Sequence, residues 1–248
     1  DRRLISDAQI HEMQKAMRPG DIIVERRNWY LSNIGLPGFW PHAALYVGTA
    51  DDIRKTFDED PDTVARFGRF SEHLKRTRKD AFAAFEAKDS QGHPHTVIEA
   101  VSEGVIASSL EHSCGADYVA AMRVRVPLVE VASAIDRAFS FYGRPYDFDF
   151  NFGTDDQIVC SELVLKAYEP TSATAPGLRV PFIEVAGRRV GPPTEIVRVF
   201  ANELNQEKHQ LDFVYFLDGR EGEKKAIVAT ADGLAKSADR PKWDIAQK

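Results

Sequence analysis

The stretch that most constrains the fold spans positions 158–168 and reads I-V-C-S-E-L-V-L-K-A-Y. Cys160 follows a polar loop at 153–157. Leu163, Val164 and Ala167 then come at i+3, i+4 and i+7, the spacing of one buried helix face. A helix that begins at the cysteine places the sulfur beside unpaired N–H groups and the positive end of the helix dipole, where a reactive thiolate is favoured. The alternative is a buried core cysteine, the commoner role of this residue.

Size and charge exclude several classes of protein. The chain has 248 residues and a formal net charge of -6, so it has no basic excess with which to neutralise nucleic-acid phosphates. No apolar run approaches the roughly 18 residues that a membrane span needs. We therefore expect ample core within one domain, no nucleic-acid partner and no transmembrane segment.

The two cysteines, Cys114 and Cys160, allow one disulfide but no disulfide framework. The chain begins with Asp1 rather than Met, which fits either a removed leader or a trimmed chain. Composition therefore defines neither the compartment nor the oligomeric state.

Strand and helix patterns are mixed without βαβ alternation, which predicts an α+β fold. We predict strands at 21–25, 42–48, 95–101, 104–110 and 118–126, and helices at 6–17 and 128–142. The charged segment 51–92 is predicted to be a helical insertion with a mostly solvated face. Beyond Pro170 we predict a hairpin at 185–190, a helix at 194–204, strands at 213–217 and 226–229, and a frayed tail from 236.

Four residues lie at predicted element ends or on short strands and could form one site: His42, Glu99, Tyr146 and Cys160. Acyl transfer by a cysteine needs a base, and histidine suits the task because its pKa lies near neutrality. A carboxylate orients the imidazole well. The main-chain N–H of Cys160 and the phenol of Tyr146 are candidate donors to the oxyanion.

Each of these residues also has an ordinary structural explanation. His42 alone is more often a hydrogen-bonded structural histidine than a base. Glu99 lies inside an apolar strand, where an unpaired carboxylate is expensive, so it needs a partner such as a histidine. Tyr146 lies in an aromatic loop and could equally be part of a pocket wall.

Several motifs, read together, carry a family resemblance. They are R-P-G-D-I-I-V, P-H-A-A-L-Y-V-G, V-I-E-A-V-S-E-G-V, G-R-P-Y-D and V-C-S-E-L-V-L-K-A-Y, which lie in this order from Pro19 to Tyr168. The sequence resembles the YiiX/YebB-like branch of the NlpC-type papain-like hydrolases. This branch is circularly permuted, so that its histidine precedes its cysteine, which a triad defined by geometry permits.

The resemblance implies a central antiparallel sheet packed against helices and no cofactor. It implies Cys160 as the nucleophile, His42 as the base and Glu99 as the residue that orients the imidazole. Tyr146 precedes Cys160 by 14 positions and matches the tyrosine that relatives use in the oxyanion hole. Further candidates for oxyanion or substrate contacts are Ser161 and Trp40; Trp40 ends the aromatic loop 28–40, which we interpret as part of the cleft.

The expected organisation is a single catalytic domain over 1–248. Its core spans about 19–170, with the insertion at 51–92, a C-terminal extension at about 171–235 and the tail at 236–248. The insertion and the extension depart from the family pattern. Val159 also differs from the asparagine that precedes the nucleophile in lecithin:retinol acyltransferase relatives, so the chain looks less like that lipid-acting branch.

Three functions follow from these patterns. The first is hydrolysis of an amide through a thioester, with cell-wall peptides as the substrate class and the cell envelope as the compartment favoured by the resemblance; a cytoplasmic location stays open. The second is hydrolysis or transfer of a lipid ester or thioester, with an apolar groove of aromatic residues, which are Trp29, Tyr30, Phe39, Trp40, Phe148, Phe150 and Phe152. The third is a metal-binding module using the pairs His93/His95 and His112/Cys114.

Overall fold

The computed structural model describes residues 3–28, 37–146, 159–172, 176–185 and 188–242. The helices are α1 Asp7–Ala16, α2 Ala50–Phe57, α3 Pro61–Phe67, α4 Phe70–Thr77, α5 Lys79–Glu86, α6 Leu110–Ser113, α7 Leu128–Ser140, α8 Cys160–Ala167, α9 Pro193–Glu203 and α10 Ala231–Ser237. The strands are β1 Ile22–Arg26, β2 His42–Tyr46, β3 His95–Val101, β4 Gly104–Ser109, β5 Tyr118–Val124, β6 Ile183–Val185, β7 Arg188–Val190, β8 Leu211–Arg220 and β9 Lys225–Val228.

Seven strands form one sheet in the order β4-β3-β2-β1-β5-β8-β9, and neighbouring strands run antiparallel. The predicted α+β class with a central antiparallel sheet is therefore confirmed. Strands β8 and β9 belong to the C-terminal extension, and β8 pairs with β5. The extension thus completes the sheet instead of forming a separate layer.

Successive side chains of a strand point to opposite sides of the sheet. Here each side of the sheet packs against its own hydrophobic cluster. On β1, Ile22 and Val24 join one hydrophobic cluster, whereas Ile23 joins the other. The first cluster includes the apolar faces of α7 and α8, and the second includes Ile10 and Met13 of α1. A strand buried on both faces explains why β1 reads as a short continuous apolar run.

The insertion is helical, as predicted, and consists of α2 to α5. Most of its charged residues face solvent, with Asp58 buried, whereas Phe57, Phe70 and Phe82 are all buried in the first cluster. Arg78 donates to Asp136 of α7 through two nitrogens at 2.9 and 3.0 Å, which anchors the insertion to α7. The insertion therefore contributes core as well as a solvated surface.

The end of the chain corrects one expectation. We predicted fraying from position 236, yet α10 runs to Ser237, whose side chain is fully buried. Arg240 then donates to both carboxylate oxygens of Asp218 on β8, at 2.6 and 3.0 Å. These contacts order the chain to position 242, and the rest of the predicted tail lies outside the described residues.

Candidate active site

Cys160 is the first residue of α8, as the sequence predicts. Leu163, Val164 and Ala167 are fully buried and fix the helix against the sheet. The main-chain N–H of Val159, just before the helix, donates to Oε2 of Glu162 at 3.4 Å. The sulfur therefore lies at the positive end of a packed helix, where an anion is favoured.

His42 is the first residue of β2, and Glu99 lies on the neighbouring strand β3. Nε2 of the imidazole and Oε2 of the carboxylate are 2.8 Å apart. The Glu99 residue is only 3% exposed, so the interaction is shielded from solvent. A carboxylate in this position fixes both the orientation and the tautomer of the ring.

Cys160 adjoins this pair. Its Sγ lies 3.8 Å from the carbonyl oxygen of Pro41, the residue before His42. Burial is the largest single influence on the pKa of His42 and lowers it, but the charge of Cys160 and hydrogen bonds with Cys160 and Glu99 outweigh burial and hold that pKa well above its usual value. Because Glu99 occupies Nε2, the other ring nitrogen, Nδ1, is the one left to face the thiol.

Glu99 is the acidic member of the cluster and is held ionised. Burial, the largest influence, raises the pKa of its carboxyl, but the hydrogen bond and the charge of His42 outweigh burial and lower it. The hydroxyl of Ser113 approaches Oε2 from α6 at 3.4 Å. The structure therefore brings together Cys160, His42 and Glu99 in the order of contacts that acyl transfer requires.

The other predicted site residues are placed differently. Tyr146 is half-buried beside the first hydrophobic cluster. Ser161 is fully buried, and within the described part of the chain its hydroxyl has no hydrogen-bond partner. Trp40 is also fully buried and donates from its indole N–H to Oγ of Ser237 at 2.9 Å. The placement of Ser161 and Trp40 supports structural roles instead of the substrate contacts expected from the sequence.

Much of the expected cleft lies outside the described residues. This holds for most of the loop 28–40, for the loop 153–157, and for the aromatic residues Trp29, Tyr30, Phe148, Phe150 and Phe152. Of the proposed apolar groove only Phe39 and Trp40 are described, and both are buried in the core. Trp40 has no exposed surface, and Phe39 lines a pocket whose other walls include the charged residues Arg26, Asp218 and Arg240.

The metal-binding hypothesis finds no support in the described ranges, where no group of three or more His, Cys, Asp or Glu side chains is arranged to hold an ion. His93 contacts Asp89, and Nδ1 of His95 contacts the carbonyl oxygen of Ala84 at 2.7 Å. Cys114 and Cys160 are both free, so the disulfide that the sequence allowed is not formed.

Three residues next to the site were missed from the sequence. Thr194 of the C-terminal extension and Ser237 of the predicted tail contact Trp40, and their sequence neighbourhood carries no signal for this. Glu25 pairs with His42 across the ladder between β1 and β2. A signal existed for Glu25, since it is an acidic residue in a buried strand, which is the argument that singled out Glu99.

The antiparallel sheet, the helix that begins with a cysteine and the adjoining histidine–glutamate pair define the class of papain-like cysteine hydrolases. A family model described as a permuted papain-like amidase enzyme, YaeF/YiiX, C92 family, matches residues 16–190, and the chain belongs to this family. The protein is therefore a hydrolase of the papain-like amidase and peptidase type.

Comparison with curated proteins and with solved structures gave no match. Within the described ranges, no helix combines the length and the apolar character that crossing a bilayer requires.

Proposed function

We propose that the protein cleaves an amide bond with Cys160 as nucleophile, His42 as general base and acid, and Glu99 as the residue that orients the imidazole. The observation that carries the proposal is the 2.8 Å contact between Nε2 of His42 and Oε2 of Glu99, next to Cys160 at the start of α8. The raised pKa of His42 supports a protonated imidazole beside the sulfur. An imidazolium stabilises the thiolate, which is the nucleophilic form of cysteine.

In the first half of the proposed reaction the Cys160 thiolate attacks the carbonyl carbon and forms a tetrahedral intermediate. The imidazolium of His42 gives its proton to the leaving nitrogen, the C–N bond breaks, and an amine and a thioester result. In the second half His42 takes a proton from water. The hydroxide attacks the thioester, the C–S bond breaks, and a carboxylic acid and the Cys160 thiolate are released.

The oxyanion of both intermediates needs donors aimed at it. The main-chain N–H of Cys160 lies in the first turn of α8, where N–H groups have no partner within the helix. Tyr146 is the candidate for the second donor, and its half-buried position at the edge of the first cluster is compatible with that role. A preorganised pair of donors is the largest single contribution in many acyl-transfer enzymes.

We propose cell-wall peptides as the substrate class, in particular the amide that joins D-Glu to a diamino acid. The membership of a permuted papain-like amidase family supports an amide substrate. The two described aromatic residues of the groove suggested for lipids, Phe39 and Trp40, are core residues, which favours a peptide over a lipid. Such a substrate would place the protein in the cell envelope.

The test is cleavage of a muropeptide mixture followed by mass spectrometry. We expect wild type and Cys114→Ala to release the same fragments, because Cys114 is fully buried and has no proposed contact with the substrate. Cys160→Ala should release none. Equal cleavage by Cys160→Ala and wild type would overturn the proposal.

A further inference from the structure

A second buried carboxylate adjoins the histidine. Glu25 of β1 is the direct register partner of His42 on β2, and Glu25 is only 7% exposed. Side chains directly opposite each other in an antiparallel pair lie on one face of the sheet, with Cβ atoms about 4.5–5.5 Å apart. The imidazole therefore has an acidic neighbour on each side, Glu99 on β3 and Glu25 on β1.

Arg27, the residue just after β1, compensates the charge of Glu25 only in part. Oε2 of Glu25 lies 3.6 Å from Nε of Arg27, which is too long for a hydrogen bond, and within the described part of the protein this oxygen has no hydrogen-bond partner. The guanidinium of Arg27 is directed elsewhere, because Nη2 donates to the carbonyl oxygens of His112 and Ser113 at 2.7 and 3.3 Å. A buried carboxylate in this state is costly unless another cation faces it.

The surrounding charges identify that cation. Within the part of the chain that the structure describes, the titratable groups that act on Glu25 from the packed elements include Arg27, His42, Glu99, Asp117 and Cys114. Among them only Arg27 and a protonated His42 are positive, whereas the carboxylates are negative. Burial raises the pKa of Glu25 most, Arg27 and His42 lower it, and Glu99 and Asp117 raise it further. A protonated imidazole reduces the net negative charge of this cluster and favours the ionised form of Glu25 against the burial that raises its pKa.

We propose that Glu25 is a positioning residue of the site, whose carboxylate faces His42 across the β1–β2 ladder and stabilises the imidazolium. Because the residue is only 7% exposed, we expect it to act on the reaction through His42. The inference rests on the proposed function, in which the imidazolium pairs with the thiolate and later protonates the leaving nitrogen. Loss of Glu25 should therefore narrow the pH range in which the ion pair exists by lowering its alkaline limit.

The direct test is an NMR titration of the His42 ring in Cys160→Ala protein, with and without Glu25→Gln. A nearby opposite charge shifts a pKa by about 1–3 units, so we expect the pKa of His42 to fall by roughly one unit in the double variant. The matched control is Glu12→Gln, the same charge change at an exposed position of α1, which should leave the pKa of His42 unchanged. An unchanged pKa in the Glu25→Gln variant would overturn the inference.

A second measurement covers the case in which Glu25→Gln does not fold. Linkage is reciprocal, so a charge on His42 that is stabilised by Glu25 must in turn lower the pKa of Glu25. In protein labelled with 13C-glutamate, His42→Gln should raise the pKa of the Glu25 carboxyl, and an unchanged value would contradict the proposal. Neither titration needs a substrate, so a failure of the proposed amidase reaction and a failure of this inference give different results.

In the active enzyme the same effect should appear in the pH profile. Glu25→Gln should move the alkaline limb of kcat/KM to lower pH by roughly one unit. Glu25→Asp retains the charge, so its alkaline limb should lie closer to that of wild type. A residue that only supports the fold would lower activity at every pH and leave the limb in place, which would count against the proposal.

Discussion

The main-chain N–H of Trp40 donates to Oγ1 of Thr194 at 2.9 Å, and the same hydroxyl donates to the carbonyl oxygen of Trp40 at 3.2 Å. Thr194 lies at the start of α9, far along the chain in the C-terminal extension, whereas Trp40 is followed by Pro41 and His42. Gly38, with φ at +95°, passes so close to Thr194 that a Cβ there would collide with the threonine side chain. Thr194 of the extension thus fixes the main chain just before His42.

Thr194→Val keeps the shape of the side chain and removes both hydrogen bonds. We expect a loss of about 2–4 kcal/mol in the free energy of unfolding, because a buried N–H and a buried carbonyl of Trp40 lose their partner. We also expect kcat/KM to fall roughly 10-fold to 100-fold, since small displacements of a catalytic group are costly. Urea denaturation and initial rates measure the two effects.

The control for this variant is Thr77→Val. Thr77 is exposed on α4 and donates to the carbonyl oxygen of His73 at 2.8 Å, away from the site. It should lose little stability and no activity. If both variants behaved alike, the extension would have no special role in positioning His42.

Glu99→Gln tests the orientation of the imidazole. An amide in place of the carboxylate can donate to Nε2 and so favour the wrong tautomer of His42, and it removes the charge that stabilises the imidazolium. We expect kcat to fall by roughly 10²–10⁴ with the fold retained. Steady-state kinetics check this, with Glu103→Gln as an exposed control just after the same strand. Near-normal turnover of Glu99→Gln would contradict the proposed role.

The two thiols should differ in reactivity. Burial, reinforced by the charges of Glu25 and Glu99, raises the pKa of Cys114 well above its usual value, and that side chain is fully buried. Cys160 lies at a helix N-terminus beside His42, whose raised pKa favours the imidazolium. We expect iodoacetamide at pH 6 to label Cys160 alone, as read by peptide mass spectrometry. Equal labelling of both cysteines would argue against a tuned nucleophile.

The stability of the fold should depend on pH through His42. The pKa of its imidazole is raised in the folded state, so this ring keeps its proton between the unfolded pKa, about 6.5, and the folded one. Its stabilising contribution is complete below pH of about 6.5 and is lost as the pH rises through the folded pKa.

Urea unfolding at several pH values measures this dependence. Below the unfolded pKa of a thiol, about 8.5, the proton that Cys160 gives up in the proposed ion pair offsets the proton held by His42. Above that pH the free energy of unfolding of wild type should fall by up to about 1.4 kcal/mol per pH unit more than that of His42→Gln, until the pH passes the folded pKa of His42. Parallel curves for the two proteins would show that His42 is not protonated preferentially in the folded state.

Tyr146→Phe tests the second oxyanion donor. If the phenol faces the oxyanion, turnover should slow by roughly 10²–10³. Tyr142→Phe is a matched control, because Tyr142 is also half-buried against the first cluster and has no proposed role. Equal and small effects of the two variants would assign Tyr146 to the pocket wall.

Patterns within single helices and strands predicted those features of the site that depend on neighbouring residues in the sequence. The period of Leu163, Val164 and Ala167 predicts where α8 begins, and the polarity of Glu99 in an apolar strand predicts that it needs a partner. The same reasoning, applied to Glu25, would have found the second carboxylate. The sequence therefore carries a signal for both carboxylates that flank His42.

Contacts between distant segments could not be predicted in this way. No period or motif links Thr194 and Ser237 to Trp40, so an aromatic residue before the histidine was interpreted as a cleft residue although it is core. Helix α10 was missed because it is short and contains Gly233, a poor helix former. Its stability comes from packing, which a single sequence does not display.

The most direct test of the account is mass spectrometry of enzyme quenched in acid during turnover of a muropeptide amide. We predict a mass increase equal to the acyl part of the substrate, located on the peptide that contains Cys160 and absent from Cys160→Ala. An adduct on any other residue, or the same adduct in Cys160→Ala, would contradict the account.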